Sequence, residues 1–189
     1  MNQEIFSDQI DLLVLDLDGT VFGTSRLLLE EIEKNGKNLG LKIFGGRALM
    51  SMRLEKNWGA WTLDLRPDFT AAESGLDFFI NWNKEFIGKK AALNEKRQGP
   101  NKKLVTMTVD TEDIDVTNDE AILKDKKCVG YITSGGYAHH VKKSMALGYV
   151  PIELSKHNTS LDVEINGKLY LAHVTNRPLY DANGGKMKN

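Results

Sequence analysis

Apolar and polar residues are interleaved in two different textures along this chain, and the change falls near residue 60. In the first part, Ile10 to Leu15 is an apolar run broken by Asp11 and closed by Asp16, which suits a buried strand. Gly19 and Gly23 end it. Leu27, Leu28, Ile32 and Leu39 then recur at the spacing of one helical face, with Glu30, Glu31, Glu33 and Lys34 largely outward. Thr24 or Ser25 can cap that helix and Gly40 can close it. Ala48 to Lys56 predicts a second helix with Leu49, Met52 and Leu54 partly buried.

Beyond residue 60 the pattern is mostly strand and turn. Asp77 to Trp82 is rich in aromatics and reads as a strand. Gly88 to Gln98 predicts a helix with Ala91, Ala92 and Leu93 inward, stopped by Gly99-Pro100. Lys103 to Val109 alternates, setting Leu104, Thr106 and Thr108 against Val105, Met107 and Val109. Ala121 to Lys124, Cys128 to Ser134, Leu161 to Ile165 and Lys168 to Val174 follow as strands. Asn166-Gly167, between the last two, predicts a two-residue hairpin of type I′. Short strands at this spacing predict an α+β protein: a C-terminal small antiparallel β-barrel preceded by a partial α/β segment. The expected boundary lies near Gly88, giving segments 1–87 and 88–189.

Composition narrows the function. The chain has 189 residues, and 25 Lys and Arg against 26 Asp and Glu leave a net charge of -1, which excludes a polybasic nucleic-acid arm. A single Cys, Cys128, excludes an internal disulfide framework and a Cys-based zinc cluster, and its apolar strand predicts a buried thiol. The longest apolar runs are short and interrupted by acids, so no membrane helix is expected. The first residues carry no basic leader, and the expectation is a cytoplasmic protein.

Two stretches carry chemistry. Ile10 to Thr24 delivers Asp16 and Asp18 to the end of the predicted strand, both on one side, with Gly19 freeing the turn. Phosphoryl-transfer enzymes use such a pair as nucleophile and general acid/base, with magnesium offsetting the charge. The stretch resembles motif one of the haloacid dehalogenase superfamily, which implies Asp16 as nucleophile and Asp18 as acid/base. That reaction also needs a Ser or Thr after a second strand, a Lys, and a further acidic pair. Val129 to Ser134 and Lys142 or Lys143 could imitate the first two, but Asp110, Asp113 and Asp115 precede them, so the order fails. The alternative is a structural strand whose acids are solvated.

The second signal runs from residue 39 to 181. Its blocks are Gly45 to Lys56 into Gly59-Ala60-Trp61, Glu73 to Phe79, Phe86 to Leu93, Val129 to Tyr137, Lys143 to Pro151, and Arg177 to Asp181. In this order and spacing the chain resembles the C-terminal part of the glycine cleavage T-protein (aminomethyltransferase) family. Met52 to Lys56, Thr133 to Tyr137 and Pro178 to Asp181 look most like the dimethylglycine and sarcosine dehydrogenase branch, where such a module follows a flavin domain. The resemblance implies transfer of a one-carbon unit from an amine to tetrahydrofolate, with the folate against the region from Arg53 to Phe79. Phe78 and Trp61 would supply aromatic faces and Arg53 a planar cation, because a pteridine with a glutamate tail needs both. Trp58, Phe79 and Trp82 add flat faces, and core packing is the competing reading for each of these rings.

Departures from the family pattern are informative. Leu49 stands where the family has an Arg four residues before Arg-Leu-Glu, and the family's catalytic Asp belongs to a segment further upstream. No flavin fingerprint is present, so FAD is not expected in this chain. The partners implied are a small amine and an upstream flavin-domain subunit, with neither nucleic acid nor membrane. A non-catalytic barrel that binds a partner subunit is the blander alternative. His139-His140 lack further ligands at metal spacing and read as a solvent-facing loop or hydrogen-bonded turn.

Overall fold

The computed structural model describes residues 26–175 and 177–188. The predicted strand at Ile10 to Leu15, the caps Thr24 and Ser25, and the Asp16/Asp18 pair lie outside them. The chain divides into two compact units, one holding residues 1–46 and 183–189 and the other Arg47–Ala182.

In the first unit, α1 (Arg26–Lys37) ends where expected, with Gly40 in the left-handed region at φ 79° and its N–H on Lys37 C=O. A short helix, α4 (Gly185–Lys188), belongs to the same unit. The larger unit begins with α2 (Gly46–Glu55) and continues through turns to a 3₁₀ helix at Asp77–Phe79 and then α3 (Lys89–Gln98). Asp77 to Trp82 is therefore not the strand its aromatics predict. Phe78 and Phe79 have nothing covering them, and a strand gains its stability from packed cross-strand neighbours.

The rest is a closed antiparallel barrel of six strands: β1 (Lys102–Val109), β2 (Ala121–Lys124), β3 (Lys127–Ala138), β4 (Lys143–Pro151), β5 (Ser160–Ile165) and β6 (Lys168–Thr175). Its order is β1-β4-β3-β2-β5-β6, and β6 returns to pair with β1. The β5–β6 hairpin turns on Asn166 and Gly167, both with positive φ, as a type I′ turn requires. Val105, Met107 and Val109 of β1 point inward and meet Ala146 and Val150 of β4, Leu161, Val163 and Ile165 of β5, and Ala172 and Val174 of β6.

β3 and β4 approach closely because two glycines lie at their crossing. A Cβ on Gly130 would sit 2.0 Å from the carbonyl oxygen of Tyr149, and one on Gly148 would sit 2.6 Å from that of Tyr131. β3 runs on past the Ser134 end predicted for it, to Ala138, and its register slips by one residue between Ile132 and Ser134. Cys128, predicted buried, is an exposed free thiol near the start of β3, two residues from the tight β2–β3 turn.

Candidate functional site

α2 is seated on the outside of the barrel through one residue above all. Leu54 is 1 % exposed and packs with Ala138, Met145 and Leu147, flanked by Leu104 and Val141. Two polar side chains fasten the helix to β3 and to the β3–β4 connection. The Ser51 hydroxyl donates to Tyr137 C=O at 2.8 Å, and the buried Glu55 carboxylate accepts from the N–H of His140 at 2.6 Å and of Val141 at 3.2 Å. His139 and His140 thus sit in a hydrogen-bonded turn. Leu49 and Met52, expected to be partly buried, face outward and are exposed, so only Leu54 of the three anchors the helix.

After α2 the chain reverses at Asn57, which has φ 55°, and folds back as a tight loop. At its centre is Asp64, which is 0 % exposed. Its Oδ2 accepts from the Arg53 guanidinium at 2.9 Å and from the Ala60 N–H at 2.7 Å. Its Oδ1 accepts from the hydroxyls of Thr133 at 2.5 Å and Ser134 at 2.7 Å. A carboxylate can receive all four, because it offers about four lone-pair positions. The backbone carbonyl of Asp64 takes a fifth bond, from Tyr149 Oη at 2.9 Å.

Tyr149 continues the anchorage. Its ring stacks on Phe69 with centroids 3.4 Å apart and planes 8° from parallel, and its hydroxyl lies 2.8 Å from that of Ser74. Burial pushes its hydroxyl above the ordinary tyrosine range, the Ser74 hydrogen bond opposes this, and the nearby Asp64 charge adds to it.

The residues predicted to meet a ligand separate into two groups. Arg53 is 8 % exposed, with its guanidinium on Asp64, Trp58 C=O and Met50 Sδ. It holds the loop from beneath instead of offering a charge at the surface. Trp61 and Phe78 do the opposite, at 79 % and 73 % exposed. Phe79 is equally exposed and packs against Phe78 with centroids 4.0 Å apart, and Trp58 is exposed too. The core reading of these four rings is therefore replaced by display at the surface. Trp82 differs, being half-buried, with Lys96 Nζ 4.2 Å above its ring. Such faces can stack on a flat heteroaromatic ligand.

Sequence reasoning missed Asp64, Tyr149, Ser74 and the acceptor role of Glu55. The one legible signal was Asp64 itself, an acid set between Leu63 and Leu65 in an apolar stretch. Among the described residues no group of three or more His, Cys, Asp or Glu could hold a metal ion. Thr133 and Ser134, which a phosphatase would need beside a parallel sheet, are spent on Asp64 in an antiparallel barrel. A separate cavity of about 570 Å³ lies where β1 ends and β4 begins, lined by Asp110 to Asp115 with Tyr137 and Lys142 to Ser144.

Comparison with known families agrees with this architecture. The barrel matches the glycine cleavage T-protein C-terminal barrel domain over residues 102–181, and residues 23–84 match the GCVT N-terminal domain. The chain belongs to the glycine cleavage T-protein (aminomethyltransferase) family. This T-protein module is 40% identical over 157 residues to mitochondrial dimethylglycine dehydrogenase of Mus musculus, covering 82% of this chain and 18% of that protein. It is 33% identical over 165 residues to the aminomethyltransferase of Prochlorococcus marinus strain NATL1A, covering 86% of this chain and 44% of that one. The crystal structure of glycine cleavage system aminomethyltransferase T from Bartonella henselae superposes with a TM-score of 0.73 at 25% identity, over 84% of this chain and 44% of that chain. The module thus spans less than half the length of these relatives.

Proposed function

We propose that this T-protein module supplies one wall of a tetrahydrofolate site in an aminomethyltransferase or dimethylglycine dehydrogenase-type enzyme. The reaction served is transfer of a one-carbon unit from an N-methyl or aminomethyl group. The observation that carries the reading is the display of Trp61, Phe78 and Phe79 on the segment shared with the T-protein N-terminal domain. Adjacent exposed rings such as Phe78 and Phe79 form an apolar patch of the kind that marks a binding surface. When bound, tetrahydrofolate accepts the one-carbon unit. The chain's own residues offer stacking faces and, through Asp64 and Arg53, a mount for the loop that carries Trp61. These residues suit the flat pteridine ring. They provide no free guanidinium for the glutamate tail, since Arg53 is already paired. The remaining walls, the amine site and the catalytic acid come from polypeptide that the relatives carry and this chain does not match, either upstream or as a separate flavin-domain subunit.

The test is a titration of the full chain with tetrahydrofolate, followed by tryptophan quenching, with and without the upstream portion of a bacterial aminomethyltransferase. Binding is expected to be weak or absent alone and to tighten on complementation. Trp61→Ala or Phe78→Ala should then weaken it about tenfold, the equivalent of one aromatic pair at about 1.4 kcal/mol. Submicromolar binding by the isolated chain would show that no wall is missing. Indifference to both substitutions would remove the stacking role.

A further inference from the structure

Consecutive residues of a strand point to opposite faces, yet Thr133 and Ser134 both donate to the same oxygen of Asp64. The register explains how. Ile132 opposes Gly148 and Ser134 opposes Leu147, so Thr133 is an extra residue, a β-bulge. The bulge inverts the alternation of β3. Before it, Ile132 faces the barrel interior. After it, Gly136 and Ala138 face outward, with Gly136 against Leu54 and Ala138 in the cluster that seats α2. A regular strand would send one of the two hydroxyls into the apolar core.

Asp64 joins this bulge to the loop above it. Its Oδ1 is tied to β3, whereas its Oδ2 is tied to Ala60 N–H within the loop and to Arg53 on α2. The Ala60 bond is one residue from Trp61, whose indole has no burial of its own to fix it. Loops of this kind are the first parts of a fold to open, unless a specific tie holds them.

We propose that Asp64 and the Thr133–Ser134 bulge form the positioning device of the Trp58–Trp61 loop, locking to the barrel a segment that would otherwise open independently. Its consequence for a ligand rests on the folate reading above, whereas the locking itself does not.

Amide hydrogen exchange on the full chain tests it. Replacing both hydroxyls, Thr133→Val with Ser134→Ala, should raise exchange of the Ala60 to Leu65 amides at least tenfold while amides of β1, β4 and β5 keep their wild-type rates. Thr133→Ser, which retains a donor, should keep the loop protected. Asp64→Asn should reproduce the selective opening, and if that variant does not fold the hydroxyl pair decides alone. Unchanged loop exchange in the double variant overturns the proposal, as does an equal rise across the barrel strands. In the complemented assembly the double variant should also bind tetrahydrofolate about tenfold more weakly. Selective opening in the double variant, together with no tetrahydrofolate binding by the wild-type assembly, would sink the folate reading and leave the lock standing.

Discussion

Leu54→Ala tests whether α2 is held on the barrel by one side chain. The substitution removes three carbons from a residue with almost no exposed surface, set among Ala138, Met145, Leu147, Leu104 and Val141. At about 0.8 kcal/mol per methylene, transfer alone is worth about 2.4 kcal/mol. A partly relaxed cavity raises the expected loss to about 3–4 kcal/mol. In urea, with a slope of about 2 kcal/mol/M, the unfolding midpoint should fall by about 1.5–2 M. The measurement is equilibrium unfolding followed by far-ultraviolet circular dichroism and tryptophan emission, whose transitions should coincide. Leu49→Ala and Met52→Ala are the internal controls, because both side chains are exposed on the same helix and should each cost under about 0.5 kcal/mol. A loss below about 1 kcal/mol for Leu54→Ala, or one matched by the controls, would refute the seating of the helix through this residue.

Two further outcomes follow from the geometry. Gly130→Ala should cost more than about 3 kcal/mol or abolish soluble expression, since the new Cβ meets the backbone carbonyl of Tyr149 at 2.0 Å, whereas Gly45→Ala, with open space around it, should be neutral by thermal melting. Tyr149 has its hydroxyl raised above the ordinary value of 10.0, so the folded state holds that proton more tightly than the unfolded chain. Stability from this group is therefore complete below pH 10 and declines as pH climbs toward the folded value. Tyr149→Phe should be less stable at neutral pH, through lost bonds to Asp64 and Ser74, yet show a shallower alkaline decline, and identical alkaline slopes would contradict the assignment.

Much of the barrel was legible in the sequence because its strands alternate. β1 places Val105, Met107 and Val109 inward, β5 does the same with Leu161, Val163 and Ile165, and Asn166-Gly167 fixes the last hairpin. β4 was not foreseen as a strand, because nearly all of it is buried: Ala146 and Val150 by the interior, Met145 and Leu147 by α2. With both faces covered, the period-two signal disappears. The continuation of β3 past Ser134 was not legible, because small and glycine residues serve turns as readily as bulges and close strand crossings. The placement of the candidate residues was legible only in part. Trp61 and Phe78 stand at the surface as a ligand-facing role requires, but Arg53 is drawn inward by Asp64, eleven residues along the chain. Pairing at that distance leaves no local pattern, because it is decided by how the loop folds back.

The pairing of β6 with β1 has a last consequence for what the barrel can accept at its rim. A ring of strands offers no backbone donors or acceptors along a free rim, so another polypeptide cannot be added by extending the sheet. Contact with the barrel wall is therefore made through side chains, and the bare indole and phenyl rings lie ahead of it, on the segment between α2 and α3.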